Sequence, residues 1–223
     1  ASSAFDETFD DSLAHKGLTD FGKQVVSKMN QLGMIVDISH VGIQTFWDIV
    51  NTTTKPIMAS HSSVYALCNH QRNLNDEQIK AIAKNGGVIQ VNFHPGFIDP
   101  SFDGKEKAFL EKHQGEFDAL IKKGMDEWYV QDYLYHKYSD EMNAIRPPLS
   151  MLIDHIEYII NLVGIDYVGL GSDFDGINVT PLELDDVACY PVITKTLLEK
   201  GYNNSDINKI LGGNFLRVLL ANE

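Results

Sequence analysis

Cysteine is nearly absent: Cys68 and Cys189 are the only 2 in 223 residues. Two cysteines exclude a disulfide framework and a cysteine-built zinc site. They leave open whether the pair is bridged or sits as two free core thiols. Cations are also scarce, with 18 Lys and Arg against 31 Asp and Glu and a net charge of -13. Neutralising nucleic-acid phosphates or an anionic lipid surface needs clustered cations, so no nucleic acid is expected as a partner, and no anionic membrane surface. No apolar run approaches the roughly 20 residues that cross a bilayer. No Gly-rich, phosphate-cradling loop follows any expected strand, which weakens the nucleotide-binding option.

What is present is ordinary for a globular domain. Hydrophobic residues make up 43% and charged residues 22%, and the length allows a sizeable core without covalent staples. Residues 1–16 are acidic and irregular and read as a loop. Thr19 caps an expected helix with apolar Val25, Val26, Met29 and Leu32, stopped at Gly33. Met34–Ile38 reads as a buried strand, Ile43–Val50 as a helix presenting Phe46, Trp47 and Val50, and Lys55–Ala59 as a second strand. A polar loop from Ser60 to Asn73 follows. Asn75-Asp-Glu opens a helix through Ile79, Ile82 and Ala83 that ends at Gly86-Gly87. Val88–Asn92 and Tyr167–Leu170 are the third and fourth strands, separated by a helix over Ser150–Val163. The tail from Pro191 to Leu220 holds two more helices, punctuated by Gly212-Gly213-Asn214.

Strand alternating with helix four times implies an α/β fold of βα units on a parallel sheet. Polar residues gather directly after the strands, which is where barrels and open α/β sheets alike place function. Residues 98–148 interrupt the alternation as a helical insertion. Its aromatic stretch Trp128-Tyr-Val-Gln-Asp-Tyr-Leu-Tyr135 reads first as packing surface and second as a lid.

His40 and His61 each follow an expected strand, in small polar company: Ser39, Ser60, Ser62 and Ser63. Neutral imidazoles at adjacent strand ends can converge on one zinc ion. His94 also follows a strand, but Pro95-Gly96 behind it reads as a turn. His15, His113, His136 and His155 read as solvated. Arg72, in the loop after His61, suits bidentate capture of a carboxylate, although most loop arginines sit in solvent. Asp173, in Gly169-Leu-Gly-Ser-Asp-Phe-Asp-Gly176, can shuttle a proton at a strand end, or can form an Asx-type turn with Asp175 and Gly176.

Asp37-Ile-Ser-His40, Ala59-Ser-His-Ser-Ser63, Arg72-Asn73, Val91-Asn-Phe93, Gly169–Gly176, Gly212-Gly-Asn-Phe-Leu-Arg217 and the opening Gly17–Gly22 occur in one order. Together they resemble the membrane (renal) dipeptidase family, peptidase family M19, from about Gly17 to Leu219. The resemblance implies a TIM (β/α)8 barrel of the metal-dependent hydrolase type, with a binuclear zinc site that hydrolyses dipeptides. By that resemblance His40 and His61 are metal ligands, Arg72 holds the substrate carboxylate, and Asp173, not Asp175, is the catalytic acid and base. The implied chemistry is attack of a metal-activated hydroxide on the peptide carbonyl.

The resemblance also implies parts this sequence lacks: a His-x-Asp pair after the first strand, a bridging carboxylate and an oxyanion histidine. No His-x-Asp occurs in the 223 residues. The expectation is therefore a C-terminal half-barrel, a single domain over 1–223, inactive without its N-terminal half. The expected partners are a dipeptide, that missing half and, through two unpaired sheet edges, a second copy of the chain. Another metal-dependent amide hydrolase and a non-catalytic, associating half-barrel are the alternatives. The expected location is periplasmic or extracellular, with the cytoplasm as the alternative.

Overall fold

A computed structural model describes residues 16–223; most of the acidic opening segment, with His15, lies outside the described residues. The chain alternates helix and strand, as its sequence periodicity requires. Helix α1 (Asp20–Gln31) begins where the Thr19 hydroxyl accepts from the Gly22 N–H at 3.1 Å. Helix α2 (Ile43–Thr52) buries Phe46 and Ile49. Strand β1 (Met58–Ala59) is short. Helix α3 (Asp76–Asn85) carries a full capping box, Asn75 with Gln78, and ends at Gly86 in the left-handed region. Strand β2 (Val88–Asn92) follows directly.

The insertion then folds as α4 (Pro95–Ile98), α5 (Phe102–Lys112), α6 (Gln114–Lys122), α7 (Glu127–Lys137) and α8 (Ser139–Ile145). It has its own apolar cluster of Phe102, Phe109, Val130, Leu134, Tyr135 and Met142 with Val179. Helix α9 (Leu149–Val163) buries Leu152, Ile153, Ile156 and Ile159. Strand β3 (Val168–Gly171), α10 (Tyr190–Glu199), α11 (Asn204–Asn208) and α12 (Asn214–Asn222) complete the chain.

The strands form one parallel sheet in the sequential order β1-β2-β3. Met58 pairs with Val88 and Ile89 with Val168. The strand expected over Met34–Ile38 is not a ladder strand. It meets β1 through one bridge, Asp37 to Met58, with the Ile38 N–H donating to Met58 O at 2.8 Å and the Met58 N–H to Val36 O at 3.0 Å. β1 is its only sheet neighbour among the described residues, so the extended run gains hydrogen bonds on one side only. Helix α1 is also less buried than its apolar spacing predicts, because Val26 is covered while Val25 and Leu32 stay exposed.

The motif Gly212–Arg217 serves the opposite end of the sheet from the polar loops. Asn214 Nδ2 donates to Ile165 O at 2.7 Å and Val168 O at 2.8 Å. Arg217 donates to Gly86 O, to Gly87 O at 2.9 Å and to Asp166 O at 2.8 Å. These bonds pin α12 beneath the starts of β2 and β3. Cys68 and Cys189 are both free thiols.

His155 corrects the sequence expectation, for it is buried, 1% exposed, and not solvated. Its Nδ1 accepts the Val64 N–H at 3.0 Å, so Nε2 carries the proton and donates to Ile98 O at 3.2 Å. Burial lowers its pKa from 6.5 to about 4. Below the unfolded value the unfolded chain binds a proton that the folded one refuses, so this contribution is complete above pH 6.5 and is lost as pH falls toward 4. Between those limits the wild type is expected to lose about 3 kcal/mol more stability than His155→Gln. Urea unfolding near neutral pH and near pH 4 measures this, and equal losses in the two proteins would refute it.

Candidate functional site

The C-terminal ends of the strands bring four loops together. His40 follows the bridged stretch, His61 follows β1, Asn92 and His94 end β2, and Asp173 follows β3. Gly171 permits the closest approach. A Cβ there would stand 2.0 Å from Ser60 O, so only glycine lets β3 run against the His61 loop.

His40 Nε2 and His61 Nε2 face each other at 2.8 Å. The donor inventory constrains the protons around them. Arg72 has donors only, and its Nη1 lies 3.0 Å from His40 Nδ1 and 3.3 Å from His40 Nε2, so either ring nitrogen can accept from it. Ser60 Oγ gives its proton to Asp37 Oδ2, so it accepts from His61 Nδ1–H at 2.6 Å. Asp37 Oδ1 further accepts the Ser39 hydroxyl at 3.0 Å and the Ser60 N–H at 3.1 Å. The result is one line of polar contacts, from Arg72 through both imidazoles and Ser60 to Asp37. Burial, with the Arg72 charge and His61, lowers the pKa of His40.

Arg72 is 5% exposed, on a loop held by its neighbour Asn73. Asn73 Oδ1 accepts the Ser63 N–H at 3.1 Å, and its Nδ2 donates to Cys68 O at 2.9 Å and Phe97 O at 2.8 Å. The guanidinium donates through Nε to Ser39 O at 2.9 Å and lies 5.5 Å from the Phe97 ring centroid. Its Nη2 is buried with no hydrogen-bond partner, a cost that an incoming acceptor would relieve.

Asp173 is in the left-handed region, φ 60°. Its carbonyl accepts the Gly176 N–H at 2.8 Å, closing a turn, so the turn reading and the site reading describe one structure. The carboxylate packs over Gly176, where a Cβ would sit 2.4 Å from Oδ1. Asn92 Nδ2 donates to Asp173 Oδ2 at 3.1 Å and to His61 O at 3.4 Å, while Asn92 Oδ1 accepts the His94 N–H at 2.6 Å. One buried amide thus ties three strand-end loops together. Asp175 is exposed.

A cavity of about 320 Å³ joins His40, Arg72 and Asp173 to residues from the insertion, among them Glu106, Trp128 and Tyr135. The insertion is therefore both a packed helical unit and a wall of the site. His94 lines the cavity too, with Nδ1 buried and unpartnered and its pKa lowered to about 4 by burial. The sequence pattern marks His94 only as a weak candidate and does not single out Asp37, Asn92 or Glu106.

The two imidazoles suit zinc as part of a donor set. Nitrogens on a tetrahedral zinc stand about 3.4 Å apart for bonds of about 2.0–2.1 Å, so the pair needs only a small opening. The proton on His61 Nδ1 leaves Nε2 as a lone-pair donor. Among the described residues, no group of three or more His, Cys, Asp or Glu is placed to hold a metal.

Paired imidazoles, a guanidinium with a free donor and a carboxylate, gathered past the ends of parallel strands, are the equipment of a metal-assisted α/β hydrolase. The sequence profile of the family described as Membrane dipeptidase (Peptidase family M19) matches residues 1–223. The chain belongs to that family of metallopeptidases. It is 34% identical over 205 residues to the dipeptidase aclJ of Aspergillus oryzae, covering 92% of this chain and 39% of that protein. It is 37% identical over 203 residues to a Klebsiella pneumoniae protein encoded in the pqqA 5' region, covering 91% and 60%. The chain thus spans 39% to 60% of the length of these curated relatives. Among solved structures it resembles the probable dipeptidase PvdM of Pseudomonas aeruginosa, with a TM-score of 0.70 and 32% identity, covering 92% of this chain and 55% of that one. A Rhodobacter sphaeroides metallopeptidase, solved with a phosphinate mimic of L-Ala-D-Ala, shares the fold with a TM-score of 0.71 at 23% identity, covering 94% and 48%.

Proposed function

We propose that the protein hydrolyses dipeptides with the help of zinc, and that residues 1–223 supply the C-terminal half of one (β/α)8 barrel, interrupted by the helical insertion at about 98–148. The observation that carries this reading is the convergence of His40 and His61 beside the unpartnered Nη2 of Arg72. In this proposal His40 and His61 hold zinc through Nε2, and the remaining ligands come from the N-terminal half. Zinc bound there acidifies a coordinated water and polarises a carbonyl.

The chain's own residues do the rest. Arg72 receives the free carboxylate of the dipeptide, offering Nη2 and a charge. The line from Ser60 to Asp37 holds His61 in the tautomer that leaves Nε2 unprotonated. Asp173, held by Asn92, accepts a proton on its carboxylate and returns it to the leaving amine.

The test compares free dipeptides with their C-terminal amides on the zinc-loaded protein. Free dipeptides should be cleaved and amides poorly, since a hydrogen bond to a charged group contributes roughly 1.5–3 kcal/mol. Arg72→Lys should raise KM, because an ammonium cannot reproduce the planar fork. Equal turnover of free and amidated substrates would sink the assignment.

A further inference from the structure

The insertion places an acid in the cavity that the proposed reaction does not use. Glu106, on α5, is half-buried and lines the same cavity as His40, Arg72 and Asp173. The Tyr135 hydroxyl, on α7, donates to Glu106 Oε1 at 2.7 Å. Tyr135 is itself anchored in the insertion's apolar cluster, so it fixes the orientation of the carboxylate. Among the described residues nothing donates a hydrogen bond to Oε2, and no lysine or arginine forms an ion pair with Glu106. Burial raises the pKa of its carboxyl, and the charge of Asp103 adds to the effect. A partly desolvated carboxylate with one neutral donor is poorly compensated, and a cation with N–H donors would supply what is missing. Arg72, whose Nη2 lacks an acceptor among the described residues, lines the same cavity. The cavity lining therefore carries one guanidinium and the carboxylates of Glu106 and Asp173, with Trp128 also on it.

We propose that Glu106, oriented by Tyr135, is a specificity residue that receives an ammonium group of the substrate, either the free α-amino group or a basic side chain. This rests on the dipeptide reading of the same site and adds to it the charge that the substrate must carry opposite its carboxylate.

The experiment uses the zinc-loaded full-length protein as wild type, Glu106→Gln and Tyr135→Phe. Binding of phosphinate isosteres of lysyl-alanine, norleucyl-alanine and N-acetyl-norleucyl-alanine is measured by calorimetry, with hydrolysis of the parent dipeptides alongside. Glu106→Gln should weaken the ammonium-bearing ligand by about tenfold or more. If the side chain is the source, the lysyl isostere loses affinity and the norleucyl one does not. If the α-amino group is the source, the lysyl and norleucyl isosteres lose equally and the N-acetyl one is unchanged. Tyr135→Phe, which removes only a hydroxyl, should shift the same ratio in the same direction by a smaller factor, so the inference survives a misfolded Glu106 variant. Unchanged ratios among the three ligands, or no binding of any of them, would overturn it. Selective binding without hydrolysis of the parents would instead refute the dipeptidase reading and leave this one standing.

Discussion

Asp173→Asn is expected to lower kcat by about 10²–10⁴-fold while zinc content stays at the wild-type level. The amide keeps the size of the carboxylate, and its oxygen can still accept from Asn92 Nδ2, which lies 3.1 Å away. What it loses is the ability to take up a proton and return it. The local backbone should tolerate the change, because asparagine shares with aspartate an aptitude for the left-handed region that residue 173 occupies at φ 60°. Asp175→Asn is the control. Asp175 is exposed and does not line the cavity of His40 and Arg72, so its variant should be close to wild type. Single-turnover rates with metal analysis on both proteins decide the matter. A larger loss in Asp175→Asn would mean that the wrong carboxylate has been assigned.

Local chemistry made most of the fold legible in the sequence. Asn75-Asp-Glu announced the start of a helix, Gly86-Gly87 its stop, and the stripe from Leu152 to Ile159 a further helix. Met34–Ile38 misled because β-branched apolar runs report burial, whereas a ladder needs consecutive pairs, and here Asp37 alone pairs, with Met58. His40, His61, Arg72 and Asp173 were legible because strand ends in α/β folds are where loops converge, and the resemblance to a family added their roles. The same pattern could not find Glu106. It lies in a helical insertion, and its place on the cavity that Arg72 also lines depends on how that insertion docks. His155 failed for a related reason, since a histidine on a helical stripe looks solvated until the two backbone groups it bridges, Val64 N–H and Ile98 O, are known to be buried beside it. Asp37 and Asn92 were overlooked because their work is done on other side chains and on backbone, which no spacing rule encodes.

His61→Ala should remove zinc and activity together, and Ser60→Ala should separate two contributions that His61→Ala merges. Losing an imidazole leaves His40 as this half's one contribution to the proposed site, a ligand short of what a catalytic zinc ion ordinarily needs. Ser60→Ala keeps both imidazoles. It deletes the hydroxyl that accepts from His61 Nδ1 at 2.6 Å and donates to Asp37. His61 is then free to carry its proton on Nε2, the tautomer that opposes metal binding, and to rotate. Loss of such a supporting bond typically lowers metal affinity about 10–100-fold. Competition with a chelator of graded strength, read as retained zinc, should therefore rank wild type above Ser60→Ala and Ser60→Ala above His61→Ala. Nitrogen-15 shifts of His61 in the zinc-free protein should report Nδ1–H in the wild type and a tautomer mixture in Ser60→Ala, independently of activity. Full zinc occupancy in His61→Ala would remove that residue from the ligand set. Unaltered affinity in Ser60→Ala would show that the line from His61 through Ser60 to Asp37 holds the loop but does not tune the ligand.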